Sequence, residues 1–407
     1  MKLRSKKGTM QKTVGCCAIR FAAAEHMVAT EGIGQMTRKE SVRNSNLELL
    51  RIISLVLIIA NHYLIHGAIN PSELPFSIQK VVTLFLAGGG KLGVCIFVLI
   101  SGYFSAKSDF NLKRTVATII KVWAFSVVLF FIFHFLITPD YHLTAKTLLK
   151  IFFPNTFAQW WFVTTYLALT LISPFLNKAI HALNQKQHRN LIILFVVIWC
   201  IIPTFTTASF EISALAWFVT LYITAAYFSV YQPKIKMKSH VVLCVFWTFV
   251  IFASIFLFEY IGERYSIPVL KNNSIMMTHY NRLPTFMLSM ELFLVFAYMK
   301  ARHSKFINIT ASTTFGIYLL HENIFSREYL WKNIFNNAEY YGSYLFFLQY
   351  LGAVILVFTI CSLIDLIFWQ KTIGKLLNTF LDKRLGSCMV FTGKIQMRIL
   401  KLIRKLV

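Results

Sequence analysis

Apolar residues in this chain do not alternate with polar ones at the period of a surface helix or a half-buried strand; they run in long unbroken blocks. A bilayer crossing needs roughly 20 mostly apolar residues, and about ten blocks have that length. They fall at 49–68, 82–104, 115–137, 160–177, 191–207, 213–231, 241–261, 283–300, 307–326 and 344–369. The ninth is the most polar, since "FINITASTTFGIYLLHENIF" carries hydroxyls and an amide in its first half and holds His321 and Glu322. The pattern predicts an all-α, polytopic integral membrane protein of about ten transmembrane helices.

The connections give an independent check, because lysine and arginine in short loops are retained on the cytoplasmic side. The segments "SAKSDFNLKR", "NKAIHALNQKQHRN", "YQPKIKMKSH" and "MKARHSKF" are basic and form every second connection, whereas "PTFTTASFEIS" has no lysine or arginine. This alternation predicts an even number of spans with both termini cytoplasmic. Three regions result: a basic cytosolic N-terminal extension over 1–45, a membrane domain over 46–370 and a basic tail over 371–407.

The extension lacks the uninterrupted apolar core of a signal peptide, because "TVGCCAIRFAAAEHMVAT" is broken by Arg20, Glu25 and His26. A short basic leader is all the topology requires, so Met36 in "GQMTRKESVRNSN" is a second possible start. In the tail, Lys394, Arg398, Lys401 and Lys405 recur at steps of four, three and four opposite Ile395, Ile399, Leu402 and Leu406. That spacing predicts an amphipathic helix on an anionic leaflet.

Composition agrees with the block pattern. Hydrophobic residues make up 57% of 407 and charged residues only 14%, too apolar for a water-soluble chain of this size. A net charge of +25 would suggest nucleic acid in a soluble protein, but here the charges lie in termini and connections, so membrane topology accounts for them and no nucleic-acid partner is expected. The seven cysteines include no CxxC pair, and Cys95, Cys200, Cys244 and Cys361 fall inside apolar blocks, which argues against a disulfide framework or a zinc site.

An ionisable side chain at bilayer depth costs a few kcal/mol or more, so each one is a functional candidate. In "LELLRIISLVLIIANHYLIHG" Arg51 and His62 are eleven residues apart, three helical turns and about 20°, on one face and roughly 16 Å apart along the axis. With the N-terminus inside, Arg51 sits at the cytoplasmic rim and His62 past the midplane. Arg51 has the alternative of reaching to lipid phosphates, and His62 that of an interhelical hydrogen bond. His62 and His66 are one turn apart, but no further Cys/His/Asp cluster accompanies them in sequence, so no metal is expected.

In the second block, Gly93, Ser101 and Gly102 allow close helix approach, Lys91 lies toward the outer side, and Lys107, Lys113 and Arg114 follow at the cytoplasmic face near Arg51. Trp160 and Trp161 are expected at the outer interface, where aromatic belts lie. His321 and Glu322 fall in the outer half by topology.

These residues, in this order, resemble the membrane-bound acyltransferase-3 family, whose members O-acylate bacterial surface carbohydrates. The resemblance rests on Arg51, ten residues and His62, on "GVCIFVLISGYF" followed by "LKRT", and on "WFVTTYLALTLISPFLN" and "FGIYLLHEN". It runs from about Asn46 to Trp369, with Glu48 where many members have aspartate and Cys95 where others have aspartate or proline. It implies an O-acyltransferase of the bacterial cell membrane that moves an acyl group, expected to be acetyl with succinyl as the alternative, from cytosolic acyl-CoA to a hydroxyl of an extracytoplasmic or lipid-linked glycan. Acetyl-CoA would be a donor substrate, not a bound cofactor, and proteins of a polysaccharide biosynthesis machinery are possible partners.

Under this resemblance His62 is the general base or a transient acyl carrier, Arg51, Lys113 and Arg114 hold the phosphates of coenzyme A, and Ser101, His321 and Glu322 orient the acceptor or stabilise an oxyanion. The competing class is a polysaccharide flippase or small-molecule transporter, also a basic-inside bundle with a few buried polar groups, which needs no acyl-CoA. A membrane polymerase would show a larger external loop.

Overall fold

The computed structural model describes residues 44–137, 143–206, 208, 210 and 212–384. The basic extension with Met36 and the tail with Lys394, Arg398, Lys401 and Lys405 lie outside the described residues. Within them the chain is helical with no strand. The long helices are α1 (Ser45–Ile65), α2 (Ile78–Ser105), α3 (Leu112–Ile132), α4 (Trp161–Ala182), α5 (Gln185–Val196), α6 (Ala214–Tyr231), α7 (Met237–Arg264), α8 (Leu283–Tyr298), α9 (Lys305–His321) and α10 (Leu345–Ile364). Wider π turns extend α3 through Ile137, α5 toward Phe205 and α10 into a helix that reaches Arg384, well past the predicted end of the last block.

Side-chain caps mark most helix starts: Asn44, Ser77, Asn111, Asn184, Ser213 and Ser304 each accept a backbone N–H of the first turn. Among the described residues, eight helices are long and apolar enough to cross a membrane. The remaining two of the ten predicted blocks form α8 and α9, which are only 16 and 17 residues long. α9 stops early because the chain turns inside the protein: His321 and Asn323 are buried, and the Asn323 side chain accepts from Phe325 N to start a new short helix, Ile324–Glu328. Irregular backbone at membrane depth is tolerated only where its polar groups are satisfied in this way.

The basic connections gather at one end of the bundle. Ser45 N donates to Arg302 O, Asn46 donates to Met299 O and Lys300 O, Asn177 reaches Ser105 O, and Lys113 pairs with Asp382. Both ends of the described membrane domain, Asn44 and the last turn before Arg384, therefore lie at this basic end. Lys121 of α3 and Asp365 at the end of α10 form a buried ion pair of 2.5 Å beneath it.

α1 and α2 lie closest together because α2 presents glycines to α1. A Cβ on Gly93 would stand 2.4 Å from the Ser54 carbonyl oxygen, a backbone atom that cannot yield without moving the helix. Gly102 plays the same part toward α6, where a Cβ would meet Tyr222 Cα at 2.9 Å. Gly93→Ala is expected to destabilise the fold by about 1–3 kcal/mol through overpacking, measured as a lower thermal midpoint of the detergent-solubilised protein; an unchanged midpoint would show that the two helices are not locked there.

Trp160 and Trp161 both stand at the start of α4, but they differ in what they face. Trp160 is 1% exposed and precedes the first residue of α4 inside the core, whereas its neighbour Trp161 is 39% exposed. Lys91 of α2 sits 5.4 Å over the Trp161 ring.

Candidate active site

His62 lies three residues before the end of α1, and His321 and Glu322 close α9; packing of α1 on α9 brings them together across about 260 residues of sequence. His62 Nδ1 is 3.0 Å from His321 Nε2 in hydrogen-bond geometry. The same Nδ1 is 3.1 Å from Glu322 Oε2, a charge contact without hydrogen-bond alignment. Glu322 Oε1 faces His66 Nε2 at 3.4 Å and accepts from Arg327 at 3.1 Å. Arg327 reaches back because the Asn323-capped turn folds the short helix over the end of α9.

The hydrogen-bond directions follow from one fixed partner. His321 Nδ1 is 2.7 Å from the Ile317 carbonyl oxygen, which only accepts, so Nδ1 carries a proton and, in the neutral ring, Nε2 is an acceptor. His62 Nδ1–H then donates to His321 Nε2, and the lone pair of His62 is left on Nε2. An imidazole with its Nδ1–H fixed and a carboxylate beside it is the arrangement that lets Nε2 take a proton and be stabilised as it does so.

From the opposite direction, aromatic rings connect His62 to the basic end. The Arg51 guanidinium pairs with Glu48 at 2.7 Å and lies 5.8 Å from the Phe97 ring centre. Phe97 meets Phe162 at 5.6 Å, Phe162 meets Tyr318 at 5.7 Å, and Tyr318 meets His62 at 6.4 Å. Arg51 and His62 thus face one aromatic-lined seam, as their spacing in α1 predicts. Tyr166, packed on Phe97 and Phe162, also lines a cavity of about 140 Å³ at the basic end, together with Ser101, Asn111, Arg114 and Tyr222. A neighbouring groove of about 500 Å³ shares Asn111 and Arg114 and adds Lys113 and Lys121.

The sequence candidates therefore separate into two groups. His62, His321 and Glu322 form one cluster. Arg114 and Ser101 line the basic-end cavity, Lys113 lies beside it in an exposed pair with Asp382, and Ser101 donates to Phe97 O. Among the described residues no contact joins Ser101 to the histidines. Tyr318 and Arg327 were not singled out by sequence; Arg327 is only five positions after Glu322, but nothing in the chain announces the turn that returns it.

His62, His66 and Glu322 offer ligand atoms within 4.8 Å of one another, the donor types of a three-ligand zinc-like site, a third donor that α1 alone does not supply. In the structure Arg327 already supplies positive charge to that carboxylate.

The family model for the acyltransferase domain matches residues 44–366, nearly all of the described helical region. The chain belongs to the acyltransferase-3 family. No curated protein and no solved structure matches it. As a member of the acyltransferase-3 family it is a membrane O-acyltransferase, an enzyme that transfers an acyl group to a hydroxyl.

Proposed function

We propose that the donor is acyl-CoA, expected to be acetyl-CoA, entering from the cytosol, and that the acceptor is a hydroxyl of an extracytoplasmic carbohydrate in the capsule, exopolysaccharide or wall of a bacterium. One observation carries this reading: a seam of aromatic rings runs from a basic cavity at one end of the bundle to an imidazole whose Nδ1–H is already engaged. By the positive-inside rule the basic end is cytoplasmic, where acyl-CoA is made. Arg114 and Lys113 at the mouth, with Arg51 next along the seam, hold the phosphates of coenzyme A through charge-assisted contacts. The pantetheine arm, narrow and partly apolar, follows the rings and carries its thioester to His62.

At that point His62 Nε2 removes the proton of the acceptor hydroxyl, the oxygen attacks the thioester carbonyl, and the C–S bond breaks. The coenzyme A thiolate leaves and recovers a proton from the His62 imidazolium. In a two-step route Nε2 instead takes the acyl group first and passes it to the hydroxyl. Both routes need the lone pair on Nε2. His321 and Glu322 act as positioning residues: they hold the ring and balance the charge that develops on it. The bacterial cytoplasmic membrane is the compartment that puts acyl-CoA on one side and surface glycan on the other.

The direct test supplies inside-out vesicles with labelled acetyl-CoA and a surface-glycan fraction and follows label into carbohydrate. Transfer by the wild type is expected. Arg114→Ala is expected to raise the apparent KM for the donor about tenfold with kcat little changed, the effect of losing one charged hydrogen bond. Absence of transfer alongside intact flux of a glycan or small molecule would favour a transporter.

A further inference from the structure

At the end opposite the basic loops the bundle carries a second, separate concentration of positive charge. Two cavities, about 520 and 410 Å³, meet at Lys91 of α2. The first reaches α1 at Asn61, the residue before His62, and is closed by Gly67, Gly88 and Thr278. The second is lined by Asn272, Asn273, His279, Asn281 and Arg282. Both are large enough to accept a sugar-sized group.

The two cations in these walls lack carboxylate partners among the described residues. Lys91 lies over the rings of Trp161 and Tyr280 at 5.4 and 5.9 Å, which attracts the ammonium without taking up its N–H donors. The Arg282 side chain has Nε and Nη1 buried with no hydrogen-bond partner. Carboxylates described at this end have other partners: Glu73 accepts from Asn70 and Glu339 from Asn336, and Glu259 pairs with Lys80, Glu263 with Lys271, Glu322 with the histidines and Arg327, and Glu328 with Lys332.

An imidazole lines the second cavity with both cations. His279 shares a 2.7 Å hydrogen bond with Asn281, whose amide is anchored on Trp199 O. Burial, with Lys91 and Arg282 adding to it, pushes His279 below its ordinary pKa, so the ring is a neutral polar group facing two charges. Buried donors without a partner cost about 1–3 kcal/mol each, more when charged. Unpartnered cationic donors in the wall of a cavity suit an anion.

We infer that the Lys91–Arg282 cavities bind a phosphate group of the acceptor, and hence that the acylated glycan carries phosphate close to its acceptor sugar, as a phosphodiester-linked polymer or a lipid-linked sugar phosphate does. This inference rests on the acyltransfer reading above and deepens it. Phosphate is favoured over a single carboxylate because two cations, Lys91 of α2 and Arg282 of the connection before α8, offer several donors from two chain segments, while His279, whose Nδ1–H goes to Asn281, presents Nε2 as an acceptor for a hydroxyl. The adjoining cavity then takes the sugar toward the Asn61–His62 turn, and the hydroxyl meets the thioester arriving from the other end.

The test measures binding to the full chain in phosphatidylcholine nanodiscs, with a hexose 1-phosphate, the same hexose, its uronate and inorganic phosphate as probes. Hexose 1-phosphate is expected to bind about tenfold more tightly than hexose, with phosphate competing, and the preference is expected to vanish in Arg282→Gln and in Lys91→Gln. Using two variants, each checked for monodisperse elution, separates loss of the site from loss of the fold. Equal binding of phosphorylated and neutral sugar, or a preference unchanged in both variants, overturns the inference. Equal binding of the uronate overturns the choice of phosphate.

Repeating the measurement in phosphatidylglycerol nanodiscs distinguishes the source: loss of sugar-phosphate binding there assigns the pocket to a lipid headgroup and overturns the acceptor assignment. Binding is read without acyl transfer. A protein that binds sugar phosphate but acylates nothing therefore counts against the enzymatic reading, and one that acylates glycans without phosphate preference counts against the pocket.

Discussion

His62→Ala is expected to lower acyl transfer by about 10³-fold, within the range of 10²–10⁴ that a positioned general base contributes, while the protein stays in the membrane at wild-type level. The size of the effect follows from the geometry. His321 Nδ1 is committed to the Ile317 carbonyl and its Nε2 accepts from His62 at 3.0 Å, so the lone pair that the variant frees on His321 lies a ring's width behind the position of His62 Nε2. His66, one turn on, has Nε2 turned to Glu322. Among the described residues no ring contact joins His66 to Tyr318, where the aromatic seam ends. The measurement is the initial rate of label transfer in vesicles matched for protein content, with added imidazole as a rescue. Partial recovery with imidazole separates loss of the base from collapse of the cluster, and a wild-type rate in well-inserted variant protein would remove His62 from the mechanism.

How much of this was legible in the sequence depends on the range of the interaction. The register of Arg51 and His62 on one helix face is a property of α1 alone, and spacing predicts it. Close approach of α1 and α2 is foreshadowed by Gly93, and the basic loops at one end by their alternation, because both are written locally. The partnership of His62 with His321 and Glu322 joins positions about 260 apart, and no periodicity encodes it; only the cost of burying Glu322 hinted that a partner exists. The burial of Trp160 was illegible for the same reason, since an aromatic at a predicted membrane boundary looks alike whether it faces lipid or a neighbouring helix. α9 was expected to run on to residue 326, yet it ends at His321, because Asn323 caps the turn that follows and the interior satisfies the freed groups. Hydropathy has no term for that. Arg282, which has no carboxylate partner among the described residues and is placed before α8 like an ordinary loop cation, acquires meaning only from the cavity it lines.

Glu322→Gln is expected to reduce kcat by about 10- to 100-fold with little change in KM for the donor. The bound on the loss comes from the tautomer argument. In serine-protease triads, exchanging the orienting carboxylate for an amide costs about 10⁴ in kcat because the imidazole is left in the wrong tautomer. Here His321, fixed by Ile317, holds the proton on His62 Nδ1 independently of Glu322, so the tautomer survives the exchange. What is lost is charge. Glu322 is the carboxylate that faces His62, His66 and Arg327 together, and an imidazolium forming at His62 would then develop beside Arg327 with no anion between them. That penalty falls on the transition state and not on donor binding at the far end of the seam, so it lowers kcat and leaves KM nearly untouched. Glu322→Asp keeps the charge but shortens the reach, and is expected to recover a substantial part of the rate. A rise in donor KM as large as the fall in kcat, or failure of Glu322→Asp to outperform Glu322→Gln, would mean that Glu322 supports the fold of the α9 turn and not the charge on His62.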